Sequence, residues 1–394
     1  MLKKRMLKKI MCILLSWLLF AAGVTKVQAQ ELALYARSAL LMDASNGRVL
    51  YEENGYAVMP MASTTKIMTC ILALEWLASA TEEKRNAPVV ISEYAAKMPK
   101  VHLGMRSGET YYLEDLLYSL MLESHNDTAV AIAEHIDGSV EAFAERMNNK
   151  AEELGCRHTN FITPNGLDAE KKGKAHSTTA YDLALVASYA IKNEKFLQII
   201  QARNYEFAEL TKGRRFQLTN KNRFLDLMEG AIGIKTGFTG DAGYCFVGAL
   251  QRDGKKFVSV VLGSGWPPNK NWKWKDTKIL MTYGLTEYES KDMEKKFTYE
   301  PVRVRNGVKP VVKVCLEKRE EDELVLLLSK EDEIMAKSEV KEEITAPVAA
   351  GQVVGYESYY VNGHVYKRYE IKTAESVELR TYFYCLRQIF VLYF

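Results

Sequence analysis

"MPMASTTKIMTCILAL", residues 59–74, carries one charge, Lys66, in a run that is otherwise neutral and mostly apolar. Pro60 suits the first turn of a helix, where its missing N–H is not needed. Ile67, Cys70, Ile71, Leu74 and Leu77 then recur at helical spacing. The other positions are also mostly neutral, and a helix that is apolar nearly all round is a buried one. Ser63 and Lys66, three residues apart, share one face of that helix. Burial disfavours an ammonium ion, so Lys66 should titrate below a free lysine and accept a proton. A neutral amine beside a hydroxyl turns that serine into a nucleophile. The Ser63 N–H, in the first helical turn, is free to bind an oxyanion.

The chain around this stretch is 394 residues long, enough for more than one domain. Its 47% apolar and 26% charged residues are those of an ordinary globular protein. A net charge of +3 gives no footprint of a nucleic-acid binder, so no nucleic-acid partner is expected. Residues 1–29 read as a signal peptide: basic "MLKKRMLKK", apolar "IMCILLSWLLFAAGV", and a small-residue cleavage site at Val27-Gln28-Ala29. An uncleaved anchor is the alternative, but the apolar run is short of the ~20 residues a span needs. Cys12 lies in that run without the small residues of a lipoprotein signal before it. Cys70, Cys156, Cys245, Cys315 and Cys385 follow, scattered and without a C-x-x-C pair, so buried free thiols are expected.

The region from 30 to 296 reads as one domain. "ALLMDASNGRVLYEE", residues 39–53, is a hairpin around Asn46-Gly47. Helical patterns follow at 61–78, 112–122, 127–137, 140–154 and 178–192. "GAIGIKTGFT" and "GYCFVGALQRDGKKFVSVVLGS" then read as strands, the latter pair turning at Asp253-Gly254, and a helix over 271–288 closes the region. Strands at both ends with helices between predict an α/β (α+β) fold, an antiparallel sheet covered by helices with a helical lobe. Residues 298–375 read as a small all-β C-terminal domain, with a hairpin at Asn362-Gly363 and an edge or interrupted strand at Pro310. In the tail, 377–394, Leu379, Phe383, Leu386, Phe390 and Phe394 fall on one helical face and Arg380, Tyr384 and Arg387 on another. Too short to span a bilayer, this amphipathic helix is expected to lie in the membrane plane; docking on the protein's own core is the alternative.

Ser-x-x-Lys is common by chance, and Ser338-Glu-Val-Lys341 repeats it among charges that read as solvated surface. Two further triplets give the first one its meaning. Ser124-His125-Asn126 falls between two helical patterns, where a loop presents side chains to a cleft. Lys235-Thr236-Gly237 ends a strand whose glycines allow close approach to a ligand. S-x-x-K, S-x-N and K-T-G in this order form the signature of class A β-lactamases and penicillin-binding proteins. The chain resembles the low-molecular-weight penicillin-binding proteins, serine-type D-Ala-D-Ala carboxypeptidases of the β-lactamase/D,D-peptidase superfamily. "TNFITPNGLD", "HSTTAYDLAL" and "GIKTGFTGDAGYCFVGA" extend the likeness over nearly the whole chain.

That resemblance implies a peptidoglycan stem peptide as substrate and β-lactams as covalent inhibitors, with no metal or organic cofactor. Ser63 would attack the carbonyl between the two D-alanines, with Lys66 as base and Lys235 helping to keep it neutral. Ser124 would pass a proton to the leaving amine, and Asn126 would hold a substrate amide. The oxyanion would lie between the N–H groups of Ser63 and Phe238. Lys235 and Thr236 would hold the terminal carboxylate, with Gly237 allowing close approach. The implied location is outside the cytoplasm, at the outer face of the bacterial cytoplasmic membrane or the cell-wall space.

Two residues depart from the family pattern: His125, where a small residue is usual, either narrows the cleft or faces away, and Phe238 replaces a polar residue. Lys221 and Arg223 are candidates for a second carboxylate contact. A β-lactamase would need a further glutamate, for which Asp168 and Glu170 in the nearest loop are the available carboxylates. A wall-binding scaffold that hydrolyses little is the non-enzymatic alternative. The six histidines fit no metal-peptidase spacing, and no G-x-S-x-G elbow is present.

Overall fold

The computed structural model describes residues 32–317 and 324–393. The expected signal peptide, Cys12 and Phe394 lie outside the described residues. The first hairpin pairs β1 (Ser38–Asp43) with β2 (Val49–Glu53). Then come α1 (Lys66–Ser79), α2 (Leu113–Leu122), α3 (Asn126–Asp137), α4 (Val140–Glu153), α5 (Ala180–Ala190) and α6 (Glu194–Gln201). The chain returns to the sheet through β3 (Ala231–Thr239), β4 (Gly243–Arg252) and β5 (Lys255–Leu262), and α7 (Trp272–Glu287) closes the unit. The five strands run antiparallel in the order β2-β1-β5-β4-β3, so β3 is an edge strand.

Alternation along the strands sends successive side chains to opposite faces. Leu40, Met42, Val247, Val258 and Val260 join the large core beneath the helical lobe. Leu41, Phe246, Phe257 and Val261 pack with Leu280 and Met281 of α7 on the other face. α1 runs through the lobe core, and every residue from Lys66 to Leu74 is buried, as its apolar circumference predicts.

Two features differ from the sequence expectation. The helix expected from residue 61 is divided: Ala62–Thr65 form a tight 3-10 turn and the α-helix begins at Lys66. Ala62 is held at a φ of +48°, a conformation a continuous right-handed helix cannot contain. Helix α6 and the hairpin of Asn204–Ala208 with Arg215–Thr219 had no place in the reading. That hairpin is fixed across the lobe, where Tyr205 stacks on Tyr118 with ring centroids 3.7 Å apart.

The C-terminal region is all-β. One sheet pairs Val314–Glu317, His364–Thr373, Val353–Val361 and Ile334–Val340, the central two joined at Asn362-Gly363. A three-stranded sheet holds Val302–Arg305, with the chain interrupted at Pro310 before Val311–Val312. This region docks on the first one through Leu327, which packs in the α7-side core, and through the Arg48–Asp332 ion pair.

The terminal helix α8 (Tyr382–Tyr393) begins five residues later than the expected 377. Val377 is buried in the β region, and the Arg380 N–H donates to the Asn306 carbonyl at 2.8 Å. Leu379 and Arg380 therefore precede the helix and lie on neither of its faces. Of the cysteines, Cys70, Cys156 and Cys245 are buried free thiols as expected, whereas Cys315 and Cys385 are exposed.

Candidate active site

Three elements from distant parts of the chain converge at the edge of the sheet. The turn before α1 brings Ser63, the α2–α3 connection brings Ser124, α3 brings Asn126 as its first residue, and β3 brings Lys235 to Phe238. Ser63, Ser124, Asn126, Thr236, Gly237 and Phe238 all line one cleft of about 430 Å³.

Lys66 lies buried behind Ser63. Its Nζ is 2.9 Å from Ser63 Oγ, 2.8 Å from Asn126 Oδ1 and 2.6 Å from the Asn165 carbonyl oxygen. The Asn126 amide is oriented by its Nδ2, which donates to the Pro99 carbonyl at 3.2 Å. Two of the three partners can therefore only accept. A neutral amine has two N–H bonds and one lone pair. In that neutral form, with both N–H bonds directed at the carbonyl oxygens, the lone pair faces Ser63 Oγ; as an ammonium, Lys66 donates to Oγ as well. Burial pushes the Lys66 pKa well below that of a free lysine, the Lys235 charge adds to the effect, and Asp127 opposes it. Lys235 is itself buried and pushed down to about 7 by desolvation; its Nζ donates to the Thr236 carbonyl at 3.0 Å.

The strand geometry prepares a second N–H beside Ser63. Tyr244, the β4 partner of Phe238, donates its N–H to the Gly265 carbonyl and accepts the Ser264 N–H on the opposite side. Phe238 is therefore in a non-hydrogen-bonded pair, and its N–H points outward from the edge strand. Gly237 is what lets β3 lie so close: a Cβ there would stand 3.1 Å from the Ser63 nitrogen. Phe238 is 43% exposed and its ring leans on Tyr244, with centroids 4.6 Å apart, in the wall of the same cleft.

His125 faces away from the cleft. Its Nδ1 is 2.8 Å from Ser119 Oγ, its Nε2 is 3.5 Å from Glu123 Oε2, and burial lowers its pKa. Replacing His125 by alanine is expected to cost about 1–2 kcal/mol of stability through the lost buried hydrogen bond. The rate of acylation by penicillin should stay within about threefold, since His125 itself does not line the cleft and its contact there is with Glu123 rather than with Ser63 or Lys66. Thermal unfolding and labelling with a fluorescent penicillin check the two halves. Lys221 pairs with Glu123 at 3.2 Å, and Arg223 lines the cleft. Asp168 accepts a hydrogen bond from Thr239 at 3.1 Å and Glu170 is exposed on a short hairpin. Among the described residues no carboxylate is hydrogen-bonded to Ser63 or Lys66.

Several residues of the site escaped the sequence reading. Asn165 acts through its carbonyl, which no side-chain pattern reveals; "PNG", residues 164–166, is its only signal, a turn. The Asp127 carboxylate accepts the N–H groups of Leu103, Gly104, Met105 and Thr128, and so ties the wall bearing Lys100 and Val101 to α3. Lys273 lines the far end of the cleft, its Nζ 4.6 Å from the Tyr244 ring centroid, with a pKa pushed down to about 8 by burial. The basic-aromatic run "NKNWKW", residues 269–274, was its signal.

Comparison with known proteins agrees with this geometry. Residues 24–265 match the model of the D-alanyl-D-alanine carboxypeptidase family. The chain belongs to that family. It is a serine peptidase, and residues 288–379 also match the C-terminal domain of penicillin-binding protein 5. D-alanyl-D-alanine carboxypeptidase DacF of Bacillus subtilis is 33% identical over 333 residues, covering 83% of this chain and 82% of the relative. The structure of penicillin-binding protein 5 from Haemophilus influenzae superposes with a TM-score of 0.71 at 26% identity, covering 88% of this chain and 99% of that one. Penicillin-binding protein D2 of Listeria monocytogenes in its ampicillin-bound form superposes with a TM-score of 0.53 at 32% identity, over 65% of this chain and 100% of that one. The fold of the family, with its all-β C-terminal domain, is the one the sequence predicted.

Proposed function

We propose that the chain removes the terminal D-alanine from peptidoglycan stem pentapeptides through an acyl-enzyme on Ser63, and that penicillin acylates the same serine. The observation that carries this reading is the buried Lys66 Nζ, 2.9 Å from Ser63 Oγ, at the wall of the cleft that Ser63 lines. Lys66 takes the Ser63 proton as Oγ attacks the carbonyl between the D-alanines. The oxyanion is held by the N–H groups of Ser63 and Phe238. Ser124 returns a proton to the leaving amine, and Asn126 holds a substrate amide while keeping Lys66 oriented. Lys235 and Thr236 hold the terminal carboxylate, with Gly237 allowing β3 to approach. Water then releases the shortened peptide. Intact-mass measurement with penicillin over time tests the reading. A single lasting adduct on the Ser63 peptide, with D-alanine released from a stem pentapeptide, is expected. Rapid drug turnover without a lasting adduct would indicate a β-lactamase, and neither adduct nor turnover a scaffold.

The two lysines set the pH dependence. Lys66 must be neutral to act, so activity rises with pH as its depressed pKa is passed. Lys235 must be charged to hold a carboxylate, so activity of the empty enzyme falls as pH passes about 7. A bell-shaped profile of kcat/KM is expected. Lys235→Arg, whose guanidinium does not deprotonate, should flatten the alkaline limb.

The site acts outside the cytoplasm, on the wall, and the export signal at 1–29 is part of this reading. The division into a catalytic domain over 30–296 and a β domain over 298–375 belongs to it as well. The terminal helix supplies a membrane contact. Phe383 and Phe390 are 79% and 63% exposed, which weighs against docking on the protein's own core. No described helix is long and apolar enough to cross a membrane, and an interfacial helix needs no such length. Because Val377 is buried in the β region, the informative truncation ends at Thr381. That shortened chain should lose co-sedimentation with anionic vesicles and keep its rate of acylation by penicillin.

A further inference from the structure

His176 opens the "HSTTAYDLAL" segment and takes no part in the chemistry above. It is buried, and its Nδ1 accepts the Ile162 N–H at 2.9 Å, with the Thr163 N–H at 3.4 Å. The ring proton therefore sits on Nε2, which lies 2.8 Å from Thr65 Oγ1. With that hydroxyl as acceptor, its own proton goes to the Ala62 carbonyl at 2.8 Å. One imidazole thus joins two backbone segments. The first leads to Asn165, whose carbonyl orients Lys66. The second is the turn that presents Ser63, entered through Ala62 at a φ of +48°. A residue with a Cβ keeps that conformation only where its surroundings hold it. Burial pushes the His176 pKa down to about 4, so the ring stays neutral and Nδ1 remains an acceptor at neutral pH.

We infer that His176, acting through Thr65, is a positioning residue for acylation: it locks the Ala62–Ser63 turn to the Asn165 loop so that nucleophile, base and oxyanion N–H keep one relative geometry. The inference rests on Ser63 being the acylated serine. Misplacing reacting groups by an ångström costs roughly 100-fold in rate, whereas a merely structural bond lowers stability alone.

The test compares Thr65→Val, which keeps the shape and removes the hydroxyl, with Thr65→Ser, which restores it. His176→Gln, whose amide reaches toward Thr65, is compared with His176→Asn, whose amide does not. Rates of acylation by a fluorescent penicillin are taken per acylatable molecule, so that loss of folded protein does not enter, and thermal unfolding is followed in parallel. Thr65→Val should acylate about 30-fold more slowly and Thr65→Ser within about threefold of the natural chain. His176→Gln should be faster than His176→Asn. If Thr65→Val does not fold, the His176 pair gives the same comparison. Equal per-molecule rates in folded variants, with only the melting temperature lowered, would overturn the inference and leave the Ser63 reading standing. A natural chain that takes no adduct on Ser63 would overturn both.

Discussion

Replacing Lys66 by alanine is expected to slow acylation of Ser63 about 1000-fold, the middle of the range for loss of a positioned general base. Alanine removes the amine that stands 2.9 Å from the hydroxyl and leaves Asn126 Oδ1 and the Asn165 carbonyl without the donor they share. Lys66→Arg separates a base from a structural cation. Arginine can still donate to both carbonyl oxygens, but its guanidinium does not give up a proton. Acylation should therefore remain as slow as in the alanine variant, measured with a fluorescent penicillin over hours and counted per folded molecule. Recovery in Lys66→Arg to within tenfold of the natural rate would mean that charge, and not basicity, is what this position supplies.

Gly166→Ala is expected to have the second large effect. Gly166 has a φ of +83°, and a Cβ placed there would stand 2.0 Å from the Ala62 carbonyl oxygen and 2.9 Å from the Ser63 nitrogen. Both obstructing atoms belong to backbone, so neither can swing aside. The left-handed conformation costs an L-residue about 1–2 kcal/mol, and overpacking adds about 1–3 kcal/mol. The loop must retreat, and the Asn165 carbonyl retreats with it from Lys66. A fall in melting temperature of roughly 10 °C and a loss of acylation of about 100-fold are expected together. Gly173, in the turn of the short hairpin that follows this loop, supplies the control. Its φ is +74°, but nothing lies within 4 Å of its missing Cβ. Gly173→Ala should therefore show only the conformational cost, about 1 kcal/mol, with acylation unchanged. If the two variants behaved alike, the close approach at Gly166 would have no functional weight.

These variants mark how far the residues could be read directly. The buried character of Lys66 was legible because a charge in an apolar helix has few explanations. The strand carrying Lys235-Thr236-Gly237, with glycines that allow close approach, was legible as well, but its place at the edge of the sheet was not. By contrast, His125 stayed undecided between narrowing the cleft and facing away, because its orientation depends on Ser119, six residues back on α2. The start of the terminal helix was misplaced because Val377 alternates into the β region's core, a contact made with Val348 and invisible in the tail's own periodicity. Lys273 was read as part of an ordinary helix. Only the packing of α7 against β4 brings it over Tyr244 and into the cleft.

The order of chemical groups along the chain, the alternation that closes an antiparallel sheet and the apolar circumference of α1 are local properties. They suffice to propose a serine nucleophile with a lysine base and to predict the fold that carries them. What only the tertiary structure decided are the backbone partners: the Asn165 carbonyl that accepts from Lys66, the outward N–H of Phe238, and the positive φ of Ala62. Every residue except proline carries the same backbone donor and acceptor, so the sequence holds no mark of which ones will meet. Which carbonyl faces which amine is settled when β3 and the 162–168 loop pack against the Ser63 turn, and the glycines at 166 and 237 are the places where that packing shows through in the sequence.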